Sequence, residues 1–330
     1  MFLSIVIPHY NLPRDLLMRC LTSLSRQEIA PGEFEVIVVD DGSDTPPEWV
    51  TDQSPVAHTT LIKREHGGLG AARNTGLNAT HGEYIMLLDS DDYLYPYSLE
   101  PCLRVIKSQR PDLLGFRFKS CSSETIDEVM QPPFTQSYTY SGGYYMLHNN
   151  LSGCAWLYLF RRELMQRHNV RFNEGILHED EDFTTRIYYF AQTAIHCNRL
   201  VYAYYRRSNS IVTTKGREHQ ERRFADLIQV LHFLCDFQEE QKSTGNITQL
   251  AGLKHKITLL TVDFIINLVH SNTPYRHILK KLNLLSGMGL YPLPKASYGR
   301  LYTLFRFLAN HKSCIYFLYP AVHLKKMGER

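Results

Sequence analysis

Short apolar runs alternate with helix-like segments over the first 120 residues of the chain. Five runs are continuous enough to be β-strands buried on both faces, as in a parallel sheet: 3–7, 34–39, 59–62, 84–88 and 112–118. Apolar residues recur every three or four positions in two segments, 14–26 and 97–109, which predicts helices. This alternation predicts an α/β fold, with a mostly parallel sheet and helices on both faces.

The pattern changes twice further along the chain. Residues 120–142 are polar and rich in turn-forming residues, which predicts a surface excursion or lid. Residues 153–205 return to order, with helices beginning at Arg162 and His178. Beyond residue 215 only helical patterns remain, at 218–241, 248–270, 275–286 and 298–311. We therefore predict two domains, 1–215 and 216–330, of which the second is a helical C-terminal region.

Charge is divided unevenly in a chain whose composition is otherwise that of an ordinary globular protein. The net charge is +3. From Lys254 onward there are twelve Lys or Arg and two acidic residues, a balance of +10, which leaves −7 for the first 253 residues. This asymmetry predicts an acidic partner for the C-terminal part of the chain.

The sequence gives no indication of secretion or of a membrane span. Its seven Cys include no C-x-x-C pair, so neither a disulfide framework nor a zinc site is predicted. The first residues lack a basic leader and a cleavage site, which favours a strand over a signal peptide. No run approaches the ~18 uncharged apolar residues of a spanning helix. We expect a cytoplasmic protein with reduced thiols.

Three carboxylates follow the strand at 84–88 within four positions: Asp89, Asp91 and Asp92. Ligands of open α/β sheets bind at the carboxyl ends of such strands. Adjacent carboxylates repel one another unless a cation lies between them, and a divalent metal held by oxygen ligands fills that role. An exposed turn with Asp92 as a helix N-cap is the alternative. The buried strand and the motifs below favour a site.

Two further turns follow strands at the same edge of the predicted sheet. Asp40-Asp41-Gly42-Ser43 suits recognition of a base or ribose, although on its own an Asx turn would be the preferred explanation. The Gly-rich turn at 67–76 is not a dinucleotide fingerprint, because Arg73 replaces the third glycine. It offers a guanidinium for a pyrophosphate, or else a helix start with Arg73 in a structural ion pair.

Together these motifs resemble those of family 2 glycosyltransferases with the GT-A fold, which build bacterial polysaccharides and other glycans. The resemblance rests on four motifs in order: Ser4-Ile5-Val6-Ile7-Pro8-His9-Tyr10-Asn11, Val39-Asp40-Asp41-Gly42-Ser43, Gly70-Ala71-Ala72-Arg73-Asn74-Thr75-Gly76 and Leu88-Asp89-Ser90-Asp91-Asp92. It covers residues 1–120 closely and 150–213 more loosely. It implies a Rossmann-like GT-A domain and inverting transfer of a sugar from a nucleotide diphosphate donor, usually a UDP-sugar, to an acceptor hydroxyl.

The resemblance also implies roles for individual residues of the donor site. Pro8, Tyr10 and Asp41 would line the uracil, and Arg73 would lie beside the base or the donor. Asp89-Ser90-Asp91 matches the D-x-D motif of the family. Asp89 would face the ribose or a metal-bound water, and Asp91 would hold Mn²⁺ or Mg²⁺ on the diphosphate. A divalent ion would neutralise the charge that develops on the leaving group.

The reaction needs a base on the acceptor side, and a second acidic run supplies candidates. A carboxylate on a separate element can take the proton of the acceptor hydroxyl. His178-Glu179-Asp180-Glu181-Asp182-Phe183 resembles the E-D motif of the family, and its catalytic Asp matches Asp180. Acids at a helix N-terminus also favour the helix itself, but four exceed what capping needs. The choice among these acids rests on the resemblance.

Two later positions match the family less specifically. Tyr204-Tyr205-Arg206-Arg207-Ser208-Asn209-Ser210 resembles an element that closes over the diphosphate, which makes Arg207 and Ser210 candidates for donor binding. An ordinary strand end with solvated arginines explains the same pattern. Trp156 matches a position where the family often has an aromatic residue near the acceptor. A Lys usual shortly beyond it is missing here, so a core role for Trp156 is the preferred prediction.

The C-terminal segment mixes basic residues with aromatic and leucine side chains between Tyr298 and Lys326. Such a helix fits the interface of an anionic membrane, which predicts peripheral attachment at the inner face of the plasma membrane, close to a lipid-linked acceptor. Packing of its apolar face on the catalytic domain or on a second subunit is the alternative. The sequence leaves the oligomeric state open.

The sequence therefore predicts a metal-dependent inverting glycosyltransferase that acts on a glycan or lipid-linked glycan, with no nucleic-acid partner. Two alternatives belong to other classes. A catalytically silent nucleotide-sugar-binding subunit would not need both Asp91 and Asp180. A sugar-phosphate nucleotidyltransferase calls for a Gly-rich basic loop after the first strand, where this chain has Pro8-His9-Tyr10-Asn11. The sugar, the acceptor, the linkage and the choice between Mn²⁺ and Mg²⁺ cannot be predicted from these residues.

Overall fold

A computed structural model describes residues 1–30, 32–207, 216–271, 273–295, 300–311 and 314. The strands within these ranges are Leu3–His9 (β1), Phe34–Asp40 (β2), Thr59–Lys63 (β3), Tyr84–Leu87 (β4), Tyr93–Leu94 (β5), Leu113–Cys121 (β6), Tyr158–Arg161 (β7) and Ala194–Tyr205 (β8). They form one sheet in the order β3-β2-β1-β4-β7-β6-β8-β5. All five strands predicted from the apolar runs are present.

The helices flank this sheet or follow it in the chain. They are Arg14–Ser25 (α1), Val50–Gln53 (α2), Leu69–Asn78 (α3), Glu100–Gln109 (α4), Gly142–His148 (α5), Arg162–Arg167 (α6), Glu179–Phe190 (α7), Arg217–Glu240 (α8), Ile247–His270 (α9), Tyr275–Gly287 (α10) and Arg300–Ala309 (α11). The predicted α/β class with C-terminal helices is confirmed.

The sheet is parallel on one side and mixed on the other. Strands β3, β2, β1 and β4 are parallel neighbours, so their carboxyl ends lie at one edge. Strand β7 is antiparallel to both β4 and β6, and β6 is parallel to β8. The long strand β8 therefore runs in the same direction as β4. Its end at Tyr205 and the end of β4 lie toward the same edge of the sheet.

The burial of each strand follows from its position in the sheet. Every residue of β1 is buried, as expected for a strand with hydrogen-bonded neighbours on both sides and helices over its faces. Strand β3 is only partly buried and forms an edge. Gly76 of α3 lies directly against Val6 of β1, because a Cβ added at Gly76 would clash with the Val6 side chain. A side chain at this position would push α3 away from the sheet.

Part of the predicted surface excursion is bonded to the sheet. The amide of Ser137 donates to the carbonyl oxygen of His196 at 2.7 Å, and Tyr140 exchanges two backbone bonds with Ala194. Residues 135–140 thus extend the sheet beside the first half of β8. This pairing was not predicted, because the polar, turn-rich composition of the segment has no strand periodicity.

The chain divides into two compact units, Met1–Tyr145 with Leu151–Gly216, and Met146–Asn150 with Arg217–Arg330. The first contains the sheet. In the second, α9 begins with a capping box, in which Asn246 and Gln249 each accept a hydrogen bond from the backbone N–H of the other. Phe224 of α8 packs edge-on against Phe264 of α9, with 5.6 Å between ring centroids. A functional division at residue 215 stays a prediction.

No helix in the described ranges is both long enough and apolar enough to cross a membrane.

Candidate active site

The acidic turn, Asp89–Asp92, follows β4 at the edge where the parallel strands end. The side chains of Asp89 and Asp91 are 23% and 19% exposed, whereas Asp92 is 1% exposed. Two carboxylates therefore face partly toward solvent and the third faces the protein interior. Burial raises the pKa of the Asp91 carboxyl above its usual range, although its hydrogen bond from Arg207 opposes the shift.

Arg73 joins this turn to the second acidic run. Its side chain is buried, with Nη2 2.8 Å from Asp89 Oδ1 and Nη1 2.8 Å from Glu179 Oε1. Burial alone would lower the pKa of Arg73, but the carboxylates of Asp89, Glu179 and Asp180 outweigh burial and raise the pKa above its ordinary value. A single guanidinium thus bridges the end of β4 and the start of α7.

The local sequence around α3 makes this bridge possible. Gly68, at φ 89°, turns the chain into the helix in a conformation that favours glycine. A Cβ at Gly70 would lie 2.7 Å from the carbonyl oxygen of Asn173, so only glycine allows this close approach. The side-chain amide of Asn74 forms two hydrogen bonds of 2.9 Å with the backbone of Phe172: Oδ1 accepts from the N–H, and Nδ2 donates to the carbonyl oxygen. Helix α3 therefore holds the segment that leads into α7.

The acids at the start of α7 differ in their partners. Glu179 pairs with Arg73, while Asp182 pairs with Arg186 and accepts from Asn173 Nδ2 at 2.7 Å. The side-chain carboxylate of half-buried Asp180 accepts no hydrogen bond from the part of the chain that the structure describes. Burial, reinforced by the charges of Glu179 and Glu181, raises the pKa of Asp180 well above its usual range. Of these three acids, Asp180 is the one whose carboxylate forms no ion pair in the described ranges.

Arg207, which follows β8 in the chain, contacts the acidic turn. Its Nε donates to Asp91 Oδ2 at 2.8 Å, and its side chain is 27% exposed. The structure thus brings Arg207 to the carboxylate predicted to hold a metal. Ser210 lies outside the described residues.

A divalent cation fits the donor set of the turn. In the described ranges no group of three His, Cys, Asp or Glu side chains could hold a metal alone. Asp89 and Asp91 nevertheless offer partly exposed carboxylate oxygens, and Mg²⁺ is commonly held by one or two carboxylates together with substrate phosphates. A diphosphate would complete such a set.

The predicted base-binding residues gather at the ends of β1 and β2. The rings of Tyr10 and His66 stack with 4.2 Å between centroids, and Tyr10 is 44% exposed. Pro8 is buried within β1. The Asp41 carboxylate is buried and turned to the next loop, where it accepts from the Gly68 amide at 2.8 Å and pairs with Arg64. A contact between Asp41 and a base stays a prediction, and these protein donors already use much of its acceptor capacity.

Trp156 is 6% exposed and stacks on Tyr202 of β8, with 4.2 Å between centroids. The ring of Tyr204 lies 5.8 Å from the same indole. Trp156 therefore packs in the interior beside the acidic turn, as its preferred prediction stated.

Several side chains of the site were not predicted from the sequence. The family resemblance selects Asp180 and gives Glu179 no role, whereas the structure pairs Glu179 with buried Arg73, which requires a nearby counter-charge. The helical spacing of 14–26 assigns no role to Arg19, yet its Nη2 donates to the carbonyl of Asp91 at 2.6 Å. Tyr202 lies in the apolar run 200–205 of β8, a strand absent from the sequence prediction. These contacts join positions that are far apart in the chain, and nothing in the local pattern signals them.

Arg73→Met is expected to destabilise the protein by about 3–5 kcal/mol, because it leaves buried Glu179 without its counter-charge. Urea denaturation of both proteins measures the difference. The deficit should shrink as the pH falls, since protonation removes the unpaired charge. Arg104→Met is the matched control. Arg104 pairs with Glu100 on the surface, so its loss should change the free energy of unfolding little. Equal effects of the two substitutions would contradict a buried bridge.

Comparison with known proteins identifies the family. The chain belongs to glycosyl transferase family 2, whose sequence model matches residues 4–168, half of the chain. It is 29% identical over 221 residues to the uncharacterized glycosyltransferase EpsJ of Bacillus subtilis, covering 63% of this chain and 62% of EpsJ. The chain thus spans less than two thirds of the length of this relative.

A second relative, TarS, matches this chain by both sequence and structure. The chain is 25% identical over 189 residues to poly(ribitol-phosphate) beta-N-acetylglucosaminyltransferase TarS of Staphylococcus aureus, covering 56% of this chain and 32% of TarS. The crystal structure of S. aureus TarS 1–349 in complex with UDP-GlcNAc matches with a TM-score of 0.67 at 18% identity, over 100% of this chain and 93% of that chain. The fold is therefore GT-A-like, as the sequence resemblance implied.

Proposed function

We propose that the protein transfers a sugar, with inversion, from a nucleotide diphosphate donor to an acceptor hydroxyl of a glycan or lipid-linked glycan. The observation that carries this proposal is the Arg73 bridge, since it sets the acids that follow β4 beside those that begin α7. A UDP-sugar is the proposed donor, which the UDP-GlcNAc complex of TarS supports. The poly(ribitol-phosphate) acceptor in the name of TarS supports a polymeric or lipid-linked acceptor.

In the proposed reaction the acceptor oxygen attacks the anomeric carbon of the donor. The bond between that carbon and the diphosphate oxygen breaks as the new glycosidic bond forms, and the acceptor proton passes to the Asp180 carboxylate. A base is most effective when its pKa lies near the working pH, and the raised pKa of Asp180 suits this role. Arg73 and Glu179 hold the start of α7 in place and do not take the proton.

Donor binding is assigned to the residues that the family resemblance suggested. Tyr10, with Pro8 and Asp41, would contact the base, and Asp89 the ribose or a metal-bound water. Asp91 would hold Mn²⁺ or Mg²⁺, and the ion would supply charge neutralisation at the leaving diphosphate. A contact of Arg73 with the donor stays a prediction, because its guanidinium is already shared by two carboxylates. The mannosyltransferase PcManGT, a fold neighbour with a TM-score of 0.52, binds GDP-Man and Mn²⁺.

A panel of nucleotide sugars tests the function directly. Thermal unfolding is followed with each sugar nucleotide, with and without Mn²⁺, and the stabilising donor is then used in a transfer assay. A ligand that binds only the folded state raises the melting temperature, by an amount that grows with the logarithm of the ratio of its free concentration to its Kd. We expect metal-dependent stabilisation by UDP-sugars and release of UDP when acceptor is added. Binding without transfer would favour a silent subunit, and no stabilisation by any donor would overturn the proposal.

The C-terminal helix α11 is proposed to attach the protein to an anionic membrane surface. One face packs inward, where Tyr302 donates to the carbonyl of Pro294 at 2.7 Å. Leu304 and Phe307 are 59% and 56% exposed, and Arg306 adds positive charge on the same helix. An apolar face with basic residues suits the interface of an anionic bilayer.

Leu304→Glu combined with Phe307→Glu is expected to reduce sedimentation with phosphatidylserine vesicles, because both substitutions place charge on the apolar face. Deletion of 298–330 should reduce it further. Leu284→Glu is the control, since Leu284 is 55% exposed on a different helix. Unchanged sedimentation of the deletion variant would rule out membrane attachment and favour packing on another protein surface.

A further inference from the structure

The third carboxylate of the acidic turn, Asp92, faces the protein interior and is 1% exposed. Its Oδ2 accepts from the Tyr202 hydroxyl at 2.6 Å, and its Oδ1 accepts from the Tyr205 backbone N–H at 2.7 Å. The Tyr202 oxygen also accepts from the Asp89 backbone N–H at 3.2 Å. Three hydrogen bonds therefore join the turn after β4 to the end of β8.

Arg19 supports the same junction from α1. Its Nη2 donates to the Asp91 carbonyl at 2.6 Å, and its Nη1 donates to the Ser123 carbonyl at 3.0 Å. The guanidinium lies 4.3 Å from the centroid of the Tyr205 ring. The backbone that leads into Asp92 is thus held by groups from distant parts of the chain.

This junction adjoins the charged groups of the acidic turn and Arg207. Asp89 and Asp91 precede Asp92 in the turn, and Arg207 follows Tyr205 by two residues and bonds to Asp91. A buried carboxylate is costly unless it is fully hydrogen-bonded, and apolar packing could hold a turn without that cost. Asp92 instead accepts one bond on each oxygen, both from β8, so the arrangement fixes two charged segments relative to each other.

We propose that Asp92, with Tyr202 as its partner, is a positioning residue for the donor site. It sets the carboxylates of Asp89 and Asp91 and the guanidinium of Arg207 in the arrangement that receives a cation and a diphosphate. This inference rests on the proposed function. It assigns to Asp92 no contact with the donor itself.

Tyr202→Phe is the principal test, and Tyr204→Phe is its matched control. Both tyrosines lie on β8 beside Trp156, but of these two described residues only Tyr202 donates a hydrogen bond from its side-chain hydroxyl. Calorimetry measures the Mn²⁺-dependent affinity for UDP, with GDP as a second probe. Loss of a hydrogen bond to a buried carboxylate should weaken nucleotide binding about tenfold in Tyr202→Phe. The Tyr204→Phe affinity should equal that of the wild type.

Asp92→Asn provides a second variant, since an amide offers one acceptor for the two donors. Its effect and that of Tyr202→Phe should be non-additive in the double variant, because the two side chains share one contact. In transfer assays both single variants should raise KM for the donor more than they lower kcat.

The outcomes separate this inference from the proposed function. A Tyr202→Phe protein with a lowered melting temperature but wild-type nucleotide affinity has lost only stability, which overturns the positioning role alone. Wild-type protein that binds neither UDP nor GDP in the presence of Mn²⁺ overturns the proposed function, and the inference with it.

Discussion

Asp180→Asn is expected to lower kcat by about 10²–10⁴-fold, the usual contribution of a general base. The amide is nearly isosteric with the carboxylate but cannot take a proton. Nucleotide affinity should stay close to that of the wild type, because Asp180 lies on α7 whereas the predicted diphosphate ligands follow β4 and β8. Steady-state transfer kinetics and UDP calorimetry on the same preparation measure both quantities.

Glu181→Gln is the control for this substitution, because it removes the same charge one residue further along α7. It should retain most of the turnover. A second readout comes from pH. Because the pKa of Asp180 is raised, its carboxyl group loses its proton only at a pH above the ordinary pKa of aspartate. The value of kcat/KM should therefore rise with pH through that raised pKa. Retained transfer in Asp180→Asn would exclude this residue as the base.

Asp91→Ala is expected to abolish metal-dependent nucleotide binding, a loss of at least ~100-fold in apparent affinity for Mn²⁺, since even outer-shell changes cost 10- to 100-fold. The substitution removes a charged oxygen ligand and also the ion-pair partner of Arg207. Titration of Mn²⁺ at fixed UDP, followed by calorimetry, gives the affinity directly. Turnover should fall with it.

The exposed Asp52 on α2 serves as the control, and Asp52→Ala should bind nucleotide and metal like the wild type. The outcome that contradicts the assignment is Mn²⁺-dependent UDP binding by Asp91→Ala at wild-type strength. In that case the carboxylate would serve only to pair with Arg207.

The elements that local patterns define were predictable. The apolar runs of β1, β2 and β4 predict three parallel strands, and the acids at the ends of β2 and β4 locate the site edge, because parallel strands end together. The helical spacing of α8, α9 and α10 is equally plain in the sequence. Strand β8 is absent from the predicted elements: polar and charged residues at 196, 198 and 199 interrupt its first half, although residues 200–205 form a continuous apolar run.

The contacts that complete the site were less predictable. Arg73 was predicted either as a donor contact or as a structural ion pair, and it lies in two ion pairs that join separate motifs. The preference for Asp180 over its neighbours first rested on the family resemblance. It gains a physical reason only from the partners of Glu179 and Asp182, which tertiary packing supplies. The role of Asp92 depends on a hydroxyl 110 residues away.

The most direct test of the central claim is a crystal structure with Mn²⁺ and a non-transferable UDP-sugar. The account predicts the anomalous signal of manganese beside Asp91, with the anomeric carbon of the sugar between the diphosphate and the Asp180 carboxylate. A nucleotide bound away from the acidic turn, or a sugar whose anomeric carbon is out of reach of Asp180, would contradict it.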